Sequence, residues 1–391
     1  MDKRALVVGG NSGVGLAIVQ NLIIRGYDKV YVVGKEPICD TDIFLNEDEH
    51  KKRIDFYQVN LINEDFSIFD KITDIDTLII TAGFGRVALF EELTDIEISN
   101  LIKCNMLSVI RIIKKYYKKI RSKEDFYCAV MGSIAGHVAS PLFSVYGASK
   151  SGLCSFIENV NVELEHDGYK NAILDVSPGS LKGTNFNGTG NDLKQVDDVA
   201  NNILNKMYER EKLYIPQYDE IFKDVIKRNN EKPIKYGKES YDYKIKSGRK
   251  TSKPQVTIGY LSGTFDLFHI GHLNLLRRAK EKCDYLIVGV HESGAWKGKE
   301  TYIPFEERKE IVGNIKYVDE VVKSFAEDSD AYEAFHINKL FVGSDYKGTE
   351  RFARYEEYFA DKGVEIVYFP YTKATSSTQL RKAISNKTEK Q

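Results

Sequence analysis

Over the first 225 or so residues, short apolar runs rich in branched side chains alternate with longer stretches whose apolar positions return every three or four residues. The runs at 5–8, 29–33, 55–59, 77–81, 127–131, 172–176 and 213–215 predict strands, and helical patterns lie between most of them. Such βαβα alternation implies a parallel sheet covered on both faces. The texture then changes. Between Lys227 and Lys253, ten Lys/Arg stand against three Asp/Glu, Pro233, Gly237 and Gly248 interrupt the run, and apolar periodicity is lost. This predicts a basic linker over 227–254, for which solvation is a simpler account than contact with nucleic acid. Alternation restarts beyond it, with strands predicted at 256–261, 285–290, 340–342 and 364–369. The expected fold is α/β, with two doubly wound parallel-sheet domains over 1–226 and 255–391.

Composition narrows the class. The chain has 391 residues, 42% hydrophobic and 29% charged, and a net charge of -1, which argues against a generally basic nucleic-acid binder. No apolar run approaches the roughly 18 residues of a membrane helix. The opening MDKRALVVGG enters a strand directly and predicts no signal peptide. Five scattered cysteines without CxxC spacing predict free thiols in a reducing cytoplasm.

The first predicted strand runs into Gly9-Gly10-Asn11-Ser12-Gly13-Val14-Gly15 and then an apolar helix pattern. Glycines let backbone approach a pyrophosphate, and the helix N-terminus supplies free N–H groups for it. Further along, Tyr146 and Lys150 are four apart and share a helix face. An ammonium beside a phenol favours phenolate, which predicts a lowered Tyr146 pKa and a proton donor for a carbonyl. The same spacing occurs at Tyr31/Lys35, Tyr208/Lys212 and Tyr358/Lys362. What sets the first pair apart is Ser133, thirteen residues upstream at a strand's C-terminal end, where ligands of open α/β sheets sit.

These pieces, with Thr81-Ala82-Gly83, Asn105, Gly132 and Pro178-Gly179, resemble the short-chain dehydrogenase/reductase family over about residues 1–225. The resemblance implies Tyr146 as general acid/base and Ser133 as hydrogen-bond partner of the substrate carbonyl. It implies Lys150 as the tuner of the tyrosine and holder of a nicotinamide ribose, and Asn105 as support of a proton relay. Gly9, Asn11, Ser12, Gly13, Val14, Gly15, Asn60, Ala82, Gly83, Pro178 and Gly179 would line the cofactor. Val8, Asn60 and Thr81 depart from the family's common Thr, Asp and Asn. Lys35 after the second strand suits a 2′-phosphate and points to NADPH, with Glu36 leaving NADH open. The short segment 180–191 would be the substrate loop, its size suggesting a modest polar substrate such as a sugar phosphate.

In the second domain a strand leads into Gly263-Thr264-Phe265-Asp266-Leu267-Phe268-His269-Ile270-Gly271-His272 and a helix pattern. Two histidines three apart at a helix start can face one phosphate and stabilise charge on a transferring phosphoryl group. A metal site would need a third ligand at suitable spacing, and none is evident.

With Lys297-Gly-Lys299, Phe305-Glu-Glu-Arg308, Tyr317-Val-Asp-Glu-Val-Val322, Gly343-Ser-Asp345 and Ser376-Ser377-Thr378, this block resembles the HxGH nucleotidyltransferases, in particular the glycerol-3-phosphate cytidylyltransferase-like group, over about 256–386. The resemblance implies attack of a substrate phosphate on the α-phosphorus of CTP with loss of pyrophosphate. His269 and His272 would contact the CTP phosphates, Lys297 and Lys299 would offset transition-state charge, and Ser376, Ser377 and Thr378 would hold triphosphate. Gly263, Thr264, Phe265 and Asp345 would complete the CTP site, with Mg²⁺ or a similar cation bridging phosphates. Lys316, Tyr346, Tyr371 and Ala374 depart from the group's usual residues and leave the acceptor open.

Co-occurrence on one chain suggests sequence: a ketose phosphate reduced with NADPH to an alditol phosphate, then charged to a CDP-polyol such as CDP-ribitol or CDP-glucitol for a surface polymer. Two unrelated activities, a nicotinamide-sensing first domain, and ATP in place of CTP are the alternatives. Both families commonly form dimers or tetramers, so a homo-oligomer without nucleic-acid or membrane partners is expected.

Overall fold

The structure is a computed structural model that describes residues 3–38, 52–63, 65–184, 186, 191–247, 256–294 and 300–370. The chain divides into two compact units, Met1–Pro254 and Gln255–Gln391.

The first unit is built on β1 (Arg4–Val8), β2 (Lys29–Gly34), β3 (Ile54–Gln58), β4 (Thr77–Ile80), β5 (Tyr127–Met131), β6 (Ile173–Val176) and β7 (Leu213–Tyr214), with α1 (Gly13–Ile24), α2 (Asp95–Ile102), α3 (Ser108–Ile120), α4 (Ser144–His166) and α5 (Asp197–Tyr208). All seven strands are parallel in the order β3-β2-β1-β4-β5-β6-β7. Two apolar cores confirm that both sheet faces are covered. One gathers Val7, Leu16, Val19, Leu22 and Leu204; the other gathers Leu6, Leu78, Ile112, Leu153 and Ile157. Successive residues of β1 thus serve opposite faces, and the strand is apolar throughout because neither face meets water.

The expected linker is largely helical. α6 (Lys223–Glu231) and α7 (Pro233–Lys246) fill it, and the division into units falls after Pro254. Pro233 opens α7 at its first turn rather than breaking it, since its missing N–H is one the helix start leaves unpaired anyway. The Asn229 side-chain oxygen accepts from the Ala139 amide at 2.9 Å. Lys244 is buried, donates to Ser140 Oγ at 2.8 Å and Pro141 O at 2.7 Å, and places its ammonium 5.0 Å from the Phe143 ring centroid. Its aliphatic stem buries apolar surface where a sequence pattern counts only a charge.

The second unit carries β8 (Ile258–Gly263), β9 (Tyr285–Val290), β10 (Glu320–Lys323), β11 (Lys339–Gly343) and β12 (Glu365–Phe369), with α8 (Ile270–Lys280), α9 (Phe305–Gly313), α10 (Asp330–Phe335) and α11 (Glu350–Phe359). The sheet is parallel, ordered β10-β9-β8-β11-β12. β10 is an edge strand that the apolar pattern does not reveal, because only Val321 and Val322 separate its charged ends. Both units are therefore α/β, doubly wound and parallel. No described helix is long and apolar enough to cross a membrane. Among the described cysteines, Cys104, Cys128, Cys154 and Cys283 are free thiols.

In each sheet the winding reverses once, between β1 and β4 and between β8 and β11. At the first reversal two glycines are sterically required. Gly9 has φ +87°, and a Cβ there would lie 2.4 Å from the Ala82 amide nitrogen; one on Gly15 would lie 2.2 Å from the Gly9 carbonyl oxygen. Gly26 has a similar φ of +82° but open space around it. Gly26→Ala is therefore expected to cost about 1–2 kcal/mol from left-handed backbone alone, and Gly9→Ala about 1–3 kcal/mol more from overlap. Urea denaturation of the two full-length variants checks the difference.

Two candidate active sites

The turn after β1 is closed by Thr81 at the end of β4. Its hydroxyl donates to Gly9 O at 3.1 Å, bracing the glycine turn in place of the asparagine common in the family. α1 begins at Gly13, whose amide donates to Asn191 Oδ1 at 2.6 Å. An N–H at a helix start aimed at an acceptor from another segment is the geometry a pyrophosphate oxygen would use. Ser12 caps this helix in extended backbone without a side-chain cap bond, and Val14 is buried beneath it. Asn11 lies against Gly34, where a Cβ would meet its oxygen at 2.4 Å. Lys35 and Glu36 follow, both exposed at the end of β2. Asn60 is half-buried and its oxygen accepts from the Ile62 amide at 3.1 Å. These residues fit a dinucleotide laid across the winding reversal.

Ser133, Tyr146 and Lys150 converge at the C-terminal end of β5. The Ser133 hydroxyl accepts from the Ala135 amide at 3.1 Å and lies near enough to the Tyr146 phenol to pull its pKa down. Tyr146 is buried between Phe143 and Phe186, ring centroids at 5.2 and 5.4 Å. Lys150 is 2% exposed and donates to Met131 O at 2.7 Å, its nitrogen 6.0 Å from the Tyr146 ring centroid. The ammonium is thus satisfied by a carbonyl, and the expected lowering of the phenol does not occur. Burial pushes Tyr146 up to about 12, against the smaller pull of Ser133, and pulls Lys150 down to about 8. A phenol held protonated at neutral pH is suited to giving a proton to a carbonyl.

Asn105 sits in a π-helical turn, Lys103–Leu107, between α2 and α3 and is fully buried. Its oxygen accepts from the Phe84 amide at 3.0 Å, and its nitrogen donates to Phe84 O at 2.8 Å and Ser149 Oγ at 3.2 Å. The side chain braces the loop that follows Ala82-Gly83. Gly83 lies beside Asn105 and Lys150, where a Cβ would approach them at 3.1 and 3.4 Å. Pro178 O accepts from the Ile134 amide at 3.0 Å, and Gly179 packs under Phe222, whose ring a Cβ would meet at 2.4 Å. Sequence reading did not assign roles to Phe186, which walls Tyr146, or Asn191, which meets Gly13. Both lie in the loop segment it named, but neither carries a motif.

The second site lies at the end of β8. His269 caps α8, its Nδ1 accepting from the Gly271 amide at 3.0 Å, which leaves Nε2 to carry the proton and act as donor. The His269 and His272 rings stack with centroids 4.1 Å apart, and Phe265 and Phe268 flank His272 at 5.4 and 5.5 Å. His272 Nδ1 is buried without a hydrogen-bond partner. Burial lowers the pKa of both, His272 to about 4 with help from its neighbour, so the unliganded pair is largely neutral at pH 7. Phe265 and Leu267 adopt left-handed backbone, φ +50° and +49°, strain that cores do not normally hold and functional loops do.

Gly263 packs on the Phe265 ring, and Asp345 lies exposed in a turn after β11. Asp266, 3% exposed, accepts from the Tyr302 and Ile303 amides at 3.1 and 3.0 Å. Arg308, fully buried, donates to the carbonyls of Thr264, His291, Glu292 and Ile303. It ties the β8 and β9 loops together, a role hidden inside the Phe-Glu-Glu-Arg motif. Lys297, Lys299, Ser376, Ser377 and Thr378 lie outside the described residues. Among the described residues of this unit, no three His, Cys, Asp or Glu side chains converge closely enough to hold a metal ion.

Comparison with known proteins assigns a family to each unit. Residues 3–194 match the short chain dehydrogenase family, and residues 260–383 the cytidylyltransferase-like family. The glycerol-3-phosphate cytidylyltransferase of Staphylococcus aureus is 36% identical over 132 residues, 33% of this chain and 95% of that protein. Its counterpart in Bacillus subtilis is 35% identical over 127 residues, 32% of this chain and 93% of that protein. A 3-oxoacyl-acyl-carrier-protein reductase of Buchnera aphidicola is 29% identical over 218 residues, 54% of this chain and 86% of that protein.

The buried ammonium has a measurable cost. A lysine whose folded pKa lies below its unfolded value destabilises the fold fully below about pH 8, and less as pH rises toward 10.5. Lys150→Met is expected to gain about 3 kcal/mol at pH 7 from this term, less about 1 kcal/mol for the lost bond to Met131. The gain should fade toward pH 10.5, as urea unfolding across pH would show.

Proposed function

The chain belongs to the glycerol-3-phosphate cytidylyltransferase family across its second unit and to the short-chain dehydrogenases across its first, and from that premise of a bifunctional oxidoreductase and cytidylyltransferase we propose that its two sites act in sequence. The first reduces a ketose phosphate to an alditol phosphate with NADPH. The second joins that alditol phosphate to CMP, giving a CDP-polyol and pyrophosphate. The observation that carries the reading is chemical continuity: reduction makes a polyol phosphate, and a cytidylyltransferase of this family needs an alcohol phosphate as acceptor. Supply of a surface polysaccharide or teichoic-type polymer is the use proposed for the product.

In the first site the nicotinamide, when bound, supplies the hydride. Ser133 and Tyr146 present hydroxyls to the carbonyl oxygen, and Tyr146 gives its proton to the alkoxide. The ring walls of Phe143 and Phe186 exclude water from that transfer. Lys150 holds positive charge beside the emerging phenolate once the proton has left. The exposed Lys35 at the β2 end is the residue proposed to meet a 2′-phosphate.

In the second site a phosphate oxygen of the acceptor attacks the α-phosphorus of CTP, and the bond to the pyrophosphate oxygen breaks. His269, through its Nε2 proton, and the stacked His272 are proposed to meet the charge that develops. Lys297, Lys299 and the Ser376–Thr378 hydroxyls are proposed to hold triphosphate, and Mg²⁺ to bridge it.

Among the candidate ketose phosphates supplied with NADPH and CTP, the true substrate is expected to yield a CDP-linked alditol by mass. Tyr146→Phe should abolish NADPH consumption and leave cytidylylation of the supplied alditol phosphate unchanged. NADPH oxidation with a reduced product that is never cytidylylated would end the sequential reading. His272→Ala is expected to lower cytidylylation kcat by about 10²–10³-fold with reduction unaffected, measured as pyrophosphate release.

A further inference from the structure

Behind Ser133 lies a second cluster that neither reaction uses. His137 follows the β5 end, Cys154 lies on α4 and Asp175 on β6. One ligand atom from each, an imidazole nitrogen, a thiol sulfur and a carboxylate oxygen, falls within 4.8 Å of the others. Cys154 and Asp175 are 8% and 5% exposed. His137 Nε2 is 3.7 Å from Asp175 Oδ2. Ligands on a tetrahedral zinc with bonds of about 2.0–2.3 Å stand roughly 3.3–3.8 Å apart, so small side-chain rotations close the set. His137 also lines an open cavity of about 370 Å³, with Ala135, Ser140, Phe143 and Asn229, which gives an ion a way in. No spacing in the sequence announces the group, because its members come from three elements.

We propose that His137, Cys154 and Asp175 form a binding site for a borderline-soft divalent cation, of which Zn²⁺ is the fitting case. Mixed sulfur, nitrogen and oxygen donors select zinc over magnesium. Charge balance favours it in a buried place: one Zn²⁺ with one thiolate and one carboxylate is neutral. Water from the cavity completes four-coordination. The Zn–S bond forms as the S–H bond breaks, and the proton leaves to solvent. In the metal-free protein the Ser177 hydroxyl donates to Asp175 Oδ1 at 2.8 Å and accepts from the Ser133 amide at 3.1 Å. His137 Nε2, 3.0 Å from that same oxygen, must then be the donor to it. Zinc needs the Nε2 lone pair, so binding moves the imidazole proton to Nδ1 and breaks the bond to Ser177. The brace behind Ser133 loosens, and the reductase slows.

The full chain is titrated with Zn²⁺ against a chromophoric chelator, and with Co²⁺ alone. The expected result is one equivalent whose affinity rises about tenfold per pH unit below the thiol pKa, and a near-ultraviolet thiolate-to-cobalt band. Cys154→Ser should lose the band, and both Cys154→Ser and His137→Gln should weaken that equivalent by at least about tenfold. Unchanged zinc affinity in both variants, or Co²⁺ binding without a thiolate band, overturns the site. Inhibition of NADPH oxidation by one equivalent of zinc rests on the reductase reading. Binding does not, so a failed substrate assignment and a failed metal site give different results.

Discussion

A parallel sheet wound on both faces must reverse its winding somewhere, and at that reversal two neighbouring strand ends are left without a crossover above them. Both units of this chain are organised by that constraint. Between β1 and β4 the open end carries the glycine turn, Thr81 and the start of α1; between β8 and β11 it carries the histidine pair and Asp345. The gap admits backbone donors that a covered strand end would spend on its own connections. Gly9 and Gly15 are the steric price of bringing β1, β4 and α1 this close.

Desolvation governs the chemistry at both openings. Lys150 sits in the first unit with its charge answered by a carbonyl rather than a carboxylate, and its pKa falls. The histidines of the second unit fall as well. In each case burial disfavours the charged form of a base, a cost that a neighbouring anion would offset.

Much of this was legible in the sequence. All eleven strands it predicts match observed ones to within two residues at either end, because branched apolar runs have few other uses in a parallel sheet. The Tyr146/Lys150 spacing and the His269/His272 pair located the sites. The direction of the Tyr146 shift was not legible, since spacing records a neighbour and not how much water surrounds it. The helices over 223–246 were masked by their lysines, of which Lys244 is buried with its ammonium bonded to Ser140 and Pro141. β10 is too short to show a pattern. Arg308, four carbonyls deep, looked like any arginine on a helix, because hydrogen bonds to loop carbonyls leave no trace in composition.

The bond from the Gly13 amide to Asn191 has a consequence for any ligand that would take the same donor. A phosphate oxygen and a carboxamide oxygen cannot occupy that amide together, so a dinucleotide bound there would displace Asn191. Cofactor binding and the placement of Asn191 would then be coupled through a single shared donor.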